Sequence, residues 1–312
     1  SSDIRHYYSI EKEAPMTFSP DAEYPLVNTE KGRFPGHFTA GFEASDALPR
    51  LVSIKAGTKV NVVPGKAKAA VEGFEMAALE KAAAETKEET GISFELAAEG
   101  TVTEITATGI GAHASTPDVG NNALTGLLVF LGKLDFASCP QVDMVRKTAS
   151  LFPHGDVNGK TLGVAMEDEL SGNLTLSFNM LSVDAASMDG EFDGRIPVCG
   201  NDENVLEVVR ARMAEQGLTL LNKALIPPHH VSADSYFVKT LLAAFELYTG
   251  RKGECQALGG GTYVHHLENG VAFGAAMPET DNKMHGPDEF AVVDELLVSA
   301  KIFAQAIVDL CG

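Results

Sequence analysis

Cysteine is scarce and scattered. Cys139, Cys199, Cys255 and Cys311 are the only four in 312 residues, and no two form a CxxC pair. That spacing argues against a disulfide framework and for reduced thiols, as in a cytoplasmic protein. Basic residues are also few: 24 Lys and Arg face 43 Asp and Glu, a net charge of −19. Such a surface repels a phosphate backbone, and no basic cluster interrupts it, so nucleic-acid binding is not expected. Apolar runs such as Leu127 to Leu131 fall far short of the ~20 residues that cross a bilayer. The GxGxxG and GxxxxGK[ST] spacings are missing, which disfavours nucleotide binding. The opening stretch, "SSDIRHYYSIEKEAP", has no initiator Met and no charged-then-apolar signal pattern. It reads as the interior of a longer chain, and a fragment is expected.

What is present is a globular composition, 45% hydrophobic, in a chain long enough for two domains. Residues 1–33 hold a polar helix candidate and a strand-like piece interrupted by Pro20 and Pro25. In the block 34–228, "TKVNVVPGKAKAAVEG" and "LTLSFNMLSVD" alternate like strands, and "EGTVTEITATGIGAHAS" runs from a strand into a Gly-rich turn. Helices are expected over "GFEMAALEKAAAETKEETG", "NALTGLLVFLGKL" and "NDENVLEVVRARMAEQG", the last capped by Asn201 or Asp202 and stopped by Gly217. From 229 onward a helix, a Gly-rich loop ("CQALGGGTY"), a strand ("VAFGAA") and a long helix follow. The resulting expectation is an α/β domain built from residues 1–33 and 229–312, a parallel-type sheet with flanking helices, interrupted by an inserted α+β domain over 34–228. The insert has room for two copies of a small ferredoxin-like sandwich, although no clean repeat marks them.

Several residues carry chemistry. Asp21, between two prolines in "SPDAEYP", has a stiff backbone and a fixed carboxylate direction, suited to a metal ligand or to an ordinary Asx turn. His113 in "GIGAHASTPDVG" is flanked by small residues; it is placed to donate to a developing oxyanion, or is a satisfied loop histidine. Arg195 in "EFDGRIPVCG" is a cation in a strand-like run, a carboxylate clamp or an exposed strand arginine. Asn61 in "KVNVVPGKA" enters a strand. The run Gly259 to Tyr263 lets backbone N–H groups approach a ligand closely. His285, in "MHGPDEF" between a strand and a helix, is a metal ligand, a general base or a surface residue.

Taken in order, "SPDAEYP", "NVVPGKA", "GAHASTP", "FDGRIPV", "GGGTY", "VAFG" and "MHGPDE" closely resemble the dinuclear zinc metallopeptidases of the aminoacylase and dipeptidase superfamily. The nearest branch is similar to bacterial dipeptidase V and the carnosinase-type Xaa-His dipeptidases, and the likeness covers essentially the whole chain. The resemblance implies hydrolysis of dipeptides or related amide bonds with two zinc ions as cofactor. It makes Asp21 a ligand of one zinc and His285 a ligand of the other. His113 becomes a lid histidine that stabilises the tetrahedral intermediate. Asn61 and Arg195 hold the substrate, Arg195 by its C-terminal carboxylate, and the backbone around Gly260 and Thr262 lines the same pocket. The insert becomes an enlarged lid that covers the site within one chain.

Departures from the pattern qualify this. The family's HxD motif, its bridging aspartate and its general-base glutamate pair do not occur, so each zinc keeps one protein ligand where about three are needed. The chain alone is therefore expected to bind zinc weakly and not to cleave peptides by the family mechanism. His265 stands where relatives commonly carry an arginine, which leaves substrate preference open, and His229 and His230 match no ligand position. Two other readings remain: a non-catalytic remnant that binds peptides or amino acids, and a metal-independent hydrolase using carboxylates such as Asp118 and Glu167. A separate N-terminal fragment or self-association would cover surface the missing part leaves bare.

Overall fold

The computed structural model describes residues 2–283 and 287–312, so His285 lies outside the described residues. The chain gathers into two compact units, one of Ser1–Gly32, Glu169–Ser171 and Pro228–Gly312, the other of Arg33–Asp168 and Gly172–Pro227. Both are mixed α/β structures in which sheets carry flanking helices.

In the first unit the strand Leu26–Glu30 is buried at all five positions. Cys255–Leu258 pairs with it in parallel and His229–His230 antiparallel, while Gly270–Ala272 joins it through Ala272 and runs parallel to Thr17–Ser19. A strand covered on both faces has no reason to alternate, and "LVNTE" does not. The first half of "CQALGGGTY", expected as loop, is thus a strand: four residues before the glycines suffice when a buried partner supplies the hydrogen bonds.

The helix Tyr236–Thr249 starts where the Ser235 hydroxyl accepts the Val238 N–H and stops at Gly250, left-handed at φ 66°. It packs with the helix Val293–Cys311 around the rings of Tyr24, Phe245, Phe273 and Phe303, whose centroids lie 5.2 to 6.3 Å apart. Ile302 and Ala306 face that core, whereas Val293, Leu296, Leu297, Ile307 and Val308 are exposed.

The second unit is built on one eight-stranded sheet in the order Thr219–Leu220, Gly32–Gly41, Ser187–Ile196, Thr175–Val183, Arg50–Ala56, Lys66–Glu72, Val102–Thr108, Ser93–Glu99. Burial alternates along Gly32–Gly41 and Val102–Thr108, as period-2 strands with one covered face require. Two glycines open space for rings: a Cβ on Gly36 would lie 2.0 Å from the Phe192 ring, and one on Gly190 would lie 2.3 Å from that of Phe38. Phe38, Phe152, Phe178 and Phe192 stack in the resulting layer.

The helices Met76–Thr90 and Ala123–Gly132 pack on this sheet, and Pro140–Leu151, which the sequence reading did not resolve, packs beside Ala123–Gly132. The expected helix at 201–217 begins as a π-helical turn, Asp202–Leu206, capped by Asn201, and continues as Glu207–Glu215 before Gly217 at φ 80°.

Asn122 fixes the start of Ala123–Gly132. Its Oδ1 accepts the N–H groups of Leu124 and Thr125, and its Nδ2 donates to the Phe178 carbonyl, which ties the helix to the sheet. Asn122→Ala is expected to cost about 1–2 kcal/mol of stability, read as a lowered urea midpoint with an unchanged slope; an unchanged midpoint would deny the cap its role.

Candidate functional site

In the second unit Ala112–His113 pairs antiparallel with Val62–Val63, and the Ala114 N–H donates to the Asn61 carbonyl. This two-residue ribbon brings the backbone of Asn61 beside that of His113 and Ala114. The backbone N–H of Ser115 donates to His113 Nδ1 at 3.1 Å, and the Ser115 hydroxyl lies 2.7 Å from the same atom. An Nδ1 that accepts cannot carry the proton of a neutral imidazole, so the proton sits on Nε2. Burial, and then the Arg195 cation, hold the His113 pKa below its ordinary value against the opposing pull of Asp193. The ring is therefore a neutral Nε2–H donor near pH 7.

Arg195 and Asp193 lie close enough to act on His113 electrostatically. The guanidinium donates to both carboxylate oxygens of Asp193, Nε to Oδ1 and Nη2 to Oδ2, and both side chains are buried. Burial pushes the Asp193 carboxyl up, against the downward pull of Arg195. A second carboxylate bound by Arg195 would have to share the guanidinium with Asp193. Asn179, fully buried, donates from Nδ2 to the Val60 carbonyl and accepts the Ser177 hydroxyl, which pins the backbone one residue before Asn61. Sequence reasoning missed both Asp193 and Asn179; a polar residue inside the apolar run "LTLSFNMLSV" was the available signal.

In the first unit Asp21 sits in the turn between Thr17–Ser19 and Ala22–Glu23 with its side chain exposed. Gly260 and Thr262 belong to the turn that follows Cys255–Leu258. The Thr262 N–H donates to both oxygens of Glu30 at 3.1 Å, and its hydroxyl donates at 2.6 Å. Thr262 is therefore turned toward a carboxylate of its own chain. His265 Nδ1 lies 2.7 Å from the same carboxylate, with Glu30 1% and His265 5% exposed. Burial would raise the Glu30 pKa, but His265 and Thr262 together hold it below the usual range. His229 and His230 pair with Glu30 and Thr29 as a strand; His229 Nε2 lies 2.6 Å from the Gly270 carbonyl and His230 Nδ1 2.9 Å from the Thr29 hydroxyl. Glu30 was not singled out in the sequence, where "NTEKG" reads as an ordinary strand end.

Asp118 and Glu167 line different cavities. Among the described residues no three His, Cys, Asp or Glu side chains come together in a way that would hold a metal ion. Among the described residues no helix is long and apolar enough to cross a membrane.

Comparison with known proteins gives this geometry a family. The chain is 34% identical over 314 residues to YtjP of Bacillus subtilis (strain 168), a protein named as a dipeptidase, with 98% of this chain and 66% of that one aligned. It is also 34% identical over 312 residues to the Beta-Ala-Xaa dipeptidase of Lactobacillus delbrueckii subsp. lactis, over 98% and 65% of the two chains. The chain is homologous to the dipeptidase superfamily. It spans about two thirds of the length of these relatives. No family model matches it. The crystal structure of aminoacylhistidine dipeptidase from Vibrio alginolyticus shares the fold, with a TM-score of 0.52 at 13% identity over 97% of this chain and 67% of that one.

The Glu30 network sets a pH dependence. A carboxyl whose folded pKa lies below its unfolded value contributes stability that is complete above about pH 5 and is lost as pH falls through the folded value. Glu30→Gln is expected to cost about 1–3 kcal/mol at pH 7 and less at pH 3, so the urea midpoints of variant and parent converge on acidification. A gap that stays constant with pH would contradict the assignment.

Proposed function

We propose that this chain supplies the substrate-holding and transition-state-stabilising groups of a metal-dependent dipeptidase acting on small peptides. The observation that carries the reading is the His113 Nε2–H, fixed in tautomer by Ser115 and held neutral by its surroundings. A donor of this kind, aimed at a carbonyl oxygen, strengthens its hydrogen bond as negative charge develops there and stabilises the tetrahedral state more than the ground state. Asn61, its backbone held by Asn179 and by the ribbon, orients the substrate beside that donor. Arg195 attracts the substrate's C-terminal carboxylate while Asp193 keeps the guanidinium in one orientation. Gly260 and Thr262 form a turn whose shape is set by Glu30, and a peptide lies along it.

In this reading Asp21 and His285 are ligands of zinc. A zinc site needs about three protein ligands, and the described residues hold no such set. Turnover by a zinc mechanism would require ligands beyond Asp21 and His285. The relatives' names support a dipeptide substrate, of the Beta-Ala-Xaa type for one of them. The apolar side chains exposed on Val293–Cys311 support contact with another polypeptide, a second copy or a separate fragment.

Binding separates the His113 role from simple substrate holding. His113→Ala is expected to weaken a phosphinic dipeptide analogue, which mimics the tetrahedral state, by about 10²-fold or more, and to leave the affinity for the parent dipeptide nearly unchanged. Equal losses on both ligands would make His113 a ground-state contact and contradict the assignment.

A further inference from the structure

The helices Ala123–Gly132 and Pro140–Leu151 of the second unit border a cavity of about 170 Å³. Leu128, Leu131, Val142 and Val145 line it and are each at most 5% exposed, with Phe136 and Ala149 completing the wall. Arg146 is the charged residue of the lining. The slot opens from the surface into the main apolar core, to which Leu128, Leu131, Val142 and Val145 belong. Its lining offers a water almost nothing to bond.

Among the described residues Arg50, Arg195, Arg210, Arg212 and Arg251 each pair with a carboxylate, while Arg33, half-buried, and Arg146 do not. Arg146, on a chain with 43 acidic residues, is exposed and makes no ion pair or hydrogen bond among the described residues. Asp143, one turn earlier on the same helix, does not engage it. A guanidinium at an apolar slot is a fork for a carboxylate whose tail enters the slot.

We propose that this cavity binds a small monocarboxylate, with its apolar tail between the two helices and its carboxylate on Arg146. A cavity of ~150 Å³ lined by Leu, Ile and Phe holds a benzene molecule, so the slot accepts a tail of about six carbons. Dipeptides and free amino acids are excluded, because their ammonium group would be buried against apolar walls without a partner. The site is thus independent of the dipeptidase reading, and its test needs no turnover.

Calorimetric titration of the 312-residue chain with straight-chain carboxylates from butanoate to decanoate tests it. Affinity is expected to rise about four-fold per added methylene and to level off near a tail of about six carbons. Heptanoate binds at least ten-fold tighter than 1-heptanol, and Arg146→Gln, at an exposed helix position, abolishes that preference without changing the affinity for the alcohol. Ala149→Leu, which fills the slot, lowers affinity for the longer acids. Absence of saturable binding, equal affinity for acid and alcohol, or an Arg146→Gln variant that binds heptanoate like the parent would each overturn the proposal. Concentration-dependent dimerisation blocked by Ala149→Glu would assign the slot to a second copy and overturn it as well.

Discussion

Glu30 ends a strand that is buried along its whole length, and burying a carboxylate is costly unless the charge is met by a partner and its lone pairs are used. Here His265 meets the charge, and the N–H and hydroxyl of Thr262 occupy the oxygens. The same strand pairs with Cys255–Leu258 on its way to the Gly-rich turn and with His229–His230 where the chain returns from the second unit. The strand and its carboxylate thus tie together three stretches far apart in sequence, and the Thr262 bonds to Glu30 hold the turn Gly259–Thr262. Removing either partner leaves the other charged or polar in a dry environment, which is why the arrangement tolerates little change.

The second unit repeats the solution. Asp193 and Arg195 are buried together, two residues apart on one strand, and both act on His113: burial depresses its pKa first, Arg195 adds to that, and Asp193 opposes it. In each unit, a residue that the family resemblance makes a substrate contact, Thr262 or Arg195, is engaged by a buried carboxylate of the chain. The carboxylate orients the contact residue and also competes for it. That balance is a way of presenting a donor in one direction without letting it collapse onto water.

Much of the fold was legible because it follows local rules. The helices Met76–Thr90, Ala123–Gly132, Tyr236–Thr249 and Val293–Cys311 were legible from their patterning, while the structure adds their caps, Asn122, Ser235 and the left-handed Gly91 and Gly250. Cys255–Leu258 was not legible, since its strand character comes from a partner more than two hundred residues earlier. Pro140–Leu151 escaped because its apolar positions, Val142, Val145 and Leu151, are sparse among polar neighbours. For the site, motifs drew attention to His113, Asn61, Arg195 and Thr262, but nothing local marks Glu30, Asp193 or Asn179, whose importance comes from what they touch. The direction in which Arg195 and Thr262 point is likewise a tertiary fact.

On the function proposed above, the chain's own groups hold a dipeptide and its metal ligands are not complete within Asp21 and His285. Zinc content and dipeptide hydrolysis, with and without chelator, measured on material whose intact mass is that of this chain alone, test this most directly. The expected result is less than one tightly held zinc per chain and no chelator-sensitive turnover, with dipeptide binding retained. Two tightly bound zinc ions together with chelator-sensitive hydrolysis by this chain alone would contradict it.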